Sequence, residues 1–158
     1  KMARILKENF EEFRESYLIA VSVQAGIRET RRIKGIHTVT ADEYVNAFRY
    51  PDSIARGAHP IDIHVASGPA QNITFLKTPA YVPYRALMAP THSNLLVAGR
   101  CLSADKTAFA SLRVQASCMD MGQAAGTAAA LAAGENTSVQ KVDADVLIDR
   151  LRAHGSVI

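Results

Sequence analysis

Apolar and polar positions change period several times along the chain, and each change predicts an element. Ile5, Leu6, Phe10, Phe13 and Tyr17 recur near three-to-four spacing among Glu8, Glu11, Glu12 and Arg14, which predicts a helix from Arg4 to Tyr17. Leu18 to Val23 then turns apolar and partly β-branched, the texture of a strand. Gly26 punctuates, and Ile27 to Val39 reads as a second extended segment with a turn at Lys34-Gly35. Thr40-Ala41-Asp42-Glu43 has capping-box spacing, in which threonine caps the third helical amide and Glu43 reaches back to the Thr40 amide. A short helix is expected through about Arg49, where Tyr50-Pro51-Asp52 stops it, because proline disfavours helical geometry in the residue before it.

Ile61-Asp62-Ile63-His64-Val65 alternates, so Ile61, Ile63 and Val65 share one strand face and Asp62 and His64 the other. Residues 66–71 predict a loop and Ile73 to Leu76 a short strand. Ala80 to Leu87 carries Pro83 and is expected on an edge or with a bulge. Asn94 to Ala98 is nearly all apolar and predicts a buried central strand. Ala116 to Ala133 is the strongest helical pattern, with Gly134 as its C-cap. Gly122 and Gly126 each weaken such a helix by about 1 kcal/mol relative to alanine, so both are expected to face protein. Leucine at position 126 should then overpack by about 1–3 kcal/mol. A last helix is expected over Ala144 to Ala153, with Val146, Leu147 and Leu151 on one face.

Composition narrows the classes. The 158 residues are 48% hydrophobic and 21% charged, the balance of a folded domain. No apolar run approaches the roughly 20 residues of a membrane span, so no membrane association is expected. The start, Lys-Met-Ala-Arg, lacks the apolar core of a signal peptide, which favours the cytoplasm. A net charge of +3 suits anionic ligands. With 6% aromatic residues, no tryptophan and basic residues clustered only at Arg28, Arg31 and Arg32, nucleic acid is not an expected partner. Cys101 and Cys118 lack metal or redox spacing and read as reduced thiols. Asp62 and His64 share a strand face without a third ligand nearby, so no metal centre is expected.

Ordered blocks carry a more specific message. Asn94-Leu-Leu-Val-Ala-Gly-Arg-Cys-Leu-Ser-Ala104, a spacer, and the small-residue helix to Ala133 form a strand-loop-helix. Ahead of it stand Gly26-Ile-Arg-Glu-Thr-Arg-Arg32, Thr40-Ala-Asp42, Pro51-Asp-Ser-Ile-Ala55, Pro60-Ile-Asp-Ile-His64 and Tyr81-Val-Pro-Tyr-Arg-Ala-Leu87. In this order they resemble the C-terminal portion of FAD-dependent oxidoreductases of the glutathione-reductase-like flavoprotein superfamily. The Gly-x-Gly-x-x-Gly turn that such enzymes also need is absent from the sequence.

The resemblance implies an α/β (α+β) fold. Residues 1–92 would belong to a substrate domain with a mostly antiparallel sheet. Residues 93–135 would be the FAD-contacting strand-loop-helix, and 136–158 a helical extension. It implies FAD as cofactor, held at its isoalloxazine end by Gly99, Arg100, Ser103, Arg113, Val114 and Gln115. His64, Arg28, Arg31, Tyr84 and Arg85 would form a pocket for a small organic, anionic substrate, with His64 transferring a proton. Ion pairing with Glu29, Asp42 or Asp52 is the structural alternative for these arginines. The partner would be the missing N-terminal dinucleotide-binding half. Without it the chain is expected to fold, bind FAD weakly or not at all, and expose an apolar face that favours a homo-oligomer. The rival reading is a cofactor-free structural or interaction module of the same architecture.

Overall fold

The computed structural model describes residues 1–64 and 71–158. The described residues form a mixed α/β fold with five helices and two small antiparallel sheets. The helices are α1 (Met2–Asn9), α2 (Ala41–Val45), α3 (Lys106–Leu112), α4 (Gln115–Gly134) and α5 (Ala144–Ala153). The strands are β1 (Ser53–Gly57), β2 (Ile61–His64), β3 (Gln71–Thr74) and β4 (Ala80–Pro83). β1 pairs with β4, and β2 with β3.

The core lies between the β1–β4 ribbon and helices α3, α4 and α5. Tyr44, Ile54, Val82, Leu87, Leu102, Phe109, Leu112, Met121, Leu147 and Leu151 are all buried there. α4 packs on β1 and on α5 along Ser117, Met121, Ala124, Ala128 and Ala132, a helical stripe of small residues that lets backbones approach. Asp105 joins two helix starts. Its carboxylate accepts the Thr107 and Ala108 amides of α3 at 2.9 and 2.8 Å, and the Ala41 amide of α2 at 2.5 Å.

Several elements follow the sequence pattern. The Thr40 capping box forms, α5 spans Ala144–Ala153, and the strand with Pro83 is an edge strand of a two-stranded sheet, the bulge falling on its partner β1 between Ser53 and Ala55. Others differ for identifiable reasons. α1 stops at Asn9, whose side chain donates to the Ile5 carbonyl, and only a 3-10 turn at Glu11–Phe13 follows. Residues 18–23 form no strand; Leu18, Ile19, Val21 and Val23 are exposed, and no neighbouring segment supplies a ladder. Residues 94–98 form one antiparallel bridge, Met88 to Leu96, instead of a central strand, with Leu95 exposed. α2 ends at Val45, short of Arg49. α4 runs through Gly134, and Asn136 takes the left-handed conformation at φ 50°. In α5 the buried face is Leu147, Ile148 and Leu151, with Val146 exposed. Gly122 and Gly126 are exposed, and an added Cβ at either meets nothing within 4 Å, so the overpacking expected for leucine at 126 has no basis within this chain. The expected loop at 66–71 and the end of the strand at Val65 fall outside the described residues except at Gln71, which opens β3.

Packing demands glycine at Gly35, where a Cβ would meet Ser103 Cβ at 2.7 Å, and most strongly at Gly57. A Cβ there would overlap the Tyr44 hydroxyl and meet Leu112 Cδ2 at 3.1 Å. Gly57→Ala is expected to destabilise by about 1–3 kcal/mol in urea unfolding. Tyr44→Phe on that background should recover part of the loss, so the double mutant should cost less than the two single changes summed.

The capping box predicts an acid sensitivity. Partial burial raises the Glu43 carboxyl, but the Thr40 amide and hydroxyl and the neighbouring His37 lower it more, leaving it below its ordinary 4.5. A depressed carboxyl stabilises the fold above its unfolded value and loses that contribution as pH falls through the folded one. The stability gap between the natural chain and Glu43→Gln should therefore be full at neutral pH and close below about pH 4.5. Unfolding midpoints measured across pH test this; a gap constant in acid would contradict it.

Candidate functional site

The site is built where α3 ends and α4 begins. Arg113 and Val114 make the junction, and the Val114 side chain cannot cap, so the first amides of α4 have no side-chain partner among the described residues. Beside this helix start opens a groove of about 540 Å³. Arg28, Arg100 and Arg113 bring positive charge to it, with His59, Asp62 and Cys118 on the same walls. Two adjoining grooves share Arg28, so this side chain stands where three depressions meet.

Arg113 holds the walls together. Its Nη2 donates to the Asp62 carbonyl at 3.1 Å, and its Nη1 lies 3.4 Å from Glu29 Oε2. Glu29 also pairs with Arg32 at 3.7 Å, and the Arg32 guanidinium sits over the Phe109 ring at 4.9 Å. The loop carrying Arg28 is thus pinned to α3 and to β2. Arg100 Nη1 donates to the Ile27 carbonyl and adds a second tie to that loop.

The structure brings together Arg28, Arg100, Arg113, Val114 and Gln115 from the expected set. Arg31 lies in an adjoining groove with Arg28 and Arg100. Gly99, buried with φ 73°, sets the turn before Arg100; a Cβ there would approach Cys118 Sγ at 3.5 Å. Ser103 is buried and its hydroxyl lies 2.9 Å from Thr38 Oγ1, so it faces the interior and not the groove. Tyr84 does not join either. It is 1% exposed and donates to the Val139 carbonyl at 2.8 Å, and burial pushes its hydroxyl up to about 12. Arg85 forms a two-pronged pair with Asp52, 3.0 Å on each prong, in a groove beside the start of α5 that shares no lining residue with the arginine groove. The expected pocket of Arg28, Tyr84 and Arg85 is therefore divided, because the chain turns into a 3-10 helix at Tyr84–Leu87 and carries Tyr84 into the core. His64 closes β2 opposite Gln71; its side chain lies outside what is described.

His59 is the groove residue that the sequence pattern passed over. It stands before β2 beside Pro60, and the Ser111 hydroxyl of α3 donates to its carbonyl. Nothing local signals this, since Ser111 is 52 residues away. Cys118 lies on the groove wall, but burial raises its thiol, Cys101 adds to this, and the pull of Arg100 does not reverse it. It is an ordinary thiol rather than an activated one.

No helix among the described residues is long and apolar enough to cross a membrane. Residues 1–154 match the profile of a family described as FAD dependent oxidoreductase. No curated protein and no solved structure matches the chain.

Among the described residues, Arg113 ties the groove walls together and Arg28 has no ion pair. Arg113→Met should cost about 1–3 kcal/mol, because Glu29 and the Asp62 carbonyl lose a charged partner. It should also speed amide exchange across residues 27–33. Arg28→Met should stay within about 0.5 kcal/mol of the natural chain. Equal effects from the two substitutions would contradict the assignment.

Proposed function

The chain belongs to the FAD-dependent oxidoreductase family, and on that premise we propose that its arginine groove receives the isoalloxazine end of FAD. The observation that carries this reading is the meeting of Arg100, Arg28 and the uncapped start of α4 in one depression. FAD is the cofactor of the family, and when bound it supplies a two-electron acceptor. The residues fit its electron-rich edge. Arg100 and the α4 amides offer donors and positive potential, and Gly99 lets backbone come close. Arg113 acts on this reading by fixing the walls rather than by touching the flavin. Arg28 and Arg31 remain to receive an anionic substrate, since neither has an ion pair among the described residues.

On the same reading the adenosine and pyrophosphate contacts come from a dinucleotide-binding half that is not in this sequence. The exposed Phe10, Tyr17, Leu18, Ile19, Val21 and Val23 support a covering partner on the N-terminal side. The chain alone should therefore hold flavin weakly and show no turnover.

FMN titrated into the isotope-labelled chain tests the placement by amide shifts. Movement is expected at Gly99, Arg100 and residues 115–118, about tenfold weaker in Arg100→Gln. Shifts confined to α5 and the Asp52–Arg85 pair would overturn the placement. Submicromolar FAD binding by this chain in calorimetry would overturn the division of the site.

A further inference from the structure

The His59 ring makes one hydrogen bond among the described residues, and that bond favours one tautomer of the neutral ring. Its Nδ1 lies 2.7 Å from the Pro60 carbonyl oxygen. A carbonyl only accepts, so Nδ1 carries the proton and donates it. The neutral ring then has a bare Nε2, and no hydrogen bond to Nε2 exists among the described residues. The residue itself is anchored from behind. Ser111, fully buried, donates to the His59 carbonyl while its oxygen lies 2.8 Å from the buried Tyr44 hydroxyl. His59 thus stands on the groove wall on an anchored backbone, with Nε2 unbonded among the described residues. The charged and titratable groups facing the groove with it are Arg28, Asp62, Arg100, Arg113 and Cys118.

We propose that His59 is the proton acceptor of this groove, acting on an anionic alcohol or amine. The substrate anion pairs with Arg28. The O–H or N–H proton passes to His59 Nε2 as the adjacent C–H leaves as hydride, and the carbon becomes a carbonyl or imine. Two electrons leave the substrate with the hydride, and the family's oxidised FAD is the acceptor that balances them. His59, an imidazolium after the transfer, returns the proton to solvent. This inference rests on the flavin reading above and adds to it the proton-accepting atom and the substrate class.

Side-chain nitrogen NMR of the labelled chain tests it without turnover. The neutral His59 ring should carry its proton on Nδ1, and a ring protonated mainly on Nε2 would overturn the proposal. Acetate, used as the anion probe, should raise the midpoint of the His59 titration, because a carboxylate seated beside the ring favours the imidazolium. Arg28→Gln should abolish that rise. A His59 midpoint unmoved by acetate in the natural chain, or a rise that persists in Arg28→Gln, would overturn it. FMN-induced amide shifts at the start of α4, recorded on the same sample, separate the two readings. Failure at His59 with those shifts intact removes the proton acceptor alone; their absence removes the flavin reading and the inference built on it.

Discussion

The groove depends on one guanidinium. Arg113 ends α3, immediately before α4 starts, and its two nitrogens reach a carboxylate on one segment and a carbonyl on another. A planar fork does this with a single rotamer, which a lysine cannot reproduce. Its side chain is 13% exposed, so both contacts act where water competes little. The result is that three segments distant in sequence share one wall: the loop at Arg28 and Glu29, strand β2 and the α3–α4 junction. Asp105 performs the matching task one helix earlier, holding the starts of α2 and α3 with one carboxylate. Between them these two side chains fix where α4 begins, and the start of α4 is the polar end of the site.

The cations divide by partner, and the division carries the functional argument. Arg85 pairs with Asp52, Arg32 with Glu29, and Arg113 with Glu29 and a backbone carbonyl. These charges are consumed in holding the fold. Arg28 and Arg31 stand in the same loop as Glu29 and have no such pair among the described residues. A cation with no ion pair among the described residues keeps more of its field for a ligand. On the proposed reading, that contrast, more than the number of arginines, is what would make the groove favour anions.

Much of this was legible in the sequence where the signal is local. The Thr40 capping box, the edge strand with Pro83 and the limits of α5 each rest on residues within a few positions of one another. The groove was legible in part, because Arg100, Arg113, Val114 and Gln115 flank the long helix that the small-residue run predicts. Tyr84 and His59 were not. Tyr84 is committed by the Val139 carbonyl and His59 by Ser111, and both partners lie more than fifty positions away. The apolar runs at 18–23 and 94–98 misled for a related reason. Residue type predicts a strand's willingness to pair, while a strand exists only where a neighbour completes the ladder.

The same reasoning applies to the glycines of α4. Ser117, Ala124, Ala128 and Ala132 are the small residues on the buried stripe, where α4 comes close to β1 and α5. Gly122 and Gly126 lie off that stripe with open space around them. Each weakens the helix by about 1 kcal/mol relative to alanine, and no packing among the described residues returns that stability. A helix under no further constraint has no physical use for them. A second surface lying against that side of α4 would give them one, since only glycine lets another backbone reach the helix axis so closely. On the proposed reading, the dinucleotide-binding half is that surface, and it would meet α4 along the flank that leads to the arginine groove. On that reading the glycines at 122 and 126 and the Arg28 cation, which has no ion pair among the described residues, have one explanation: both would prepare faces that the rest of a flavin site completes.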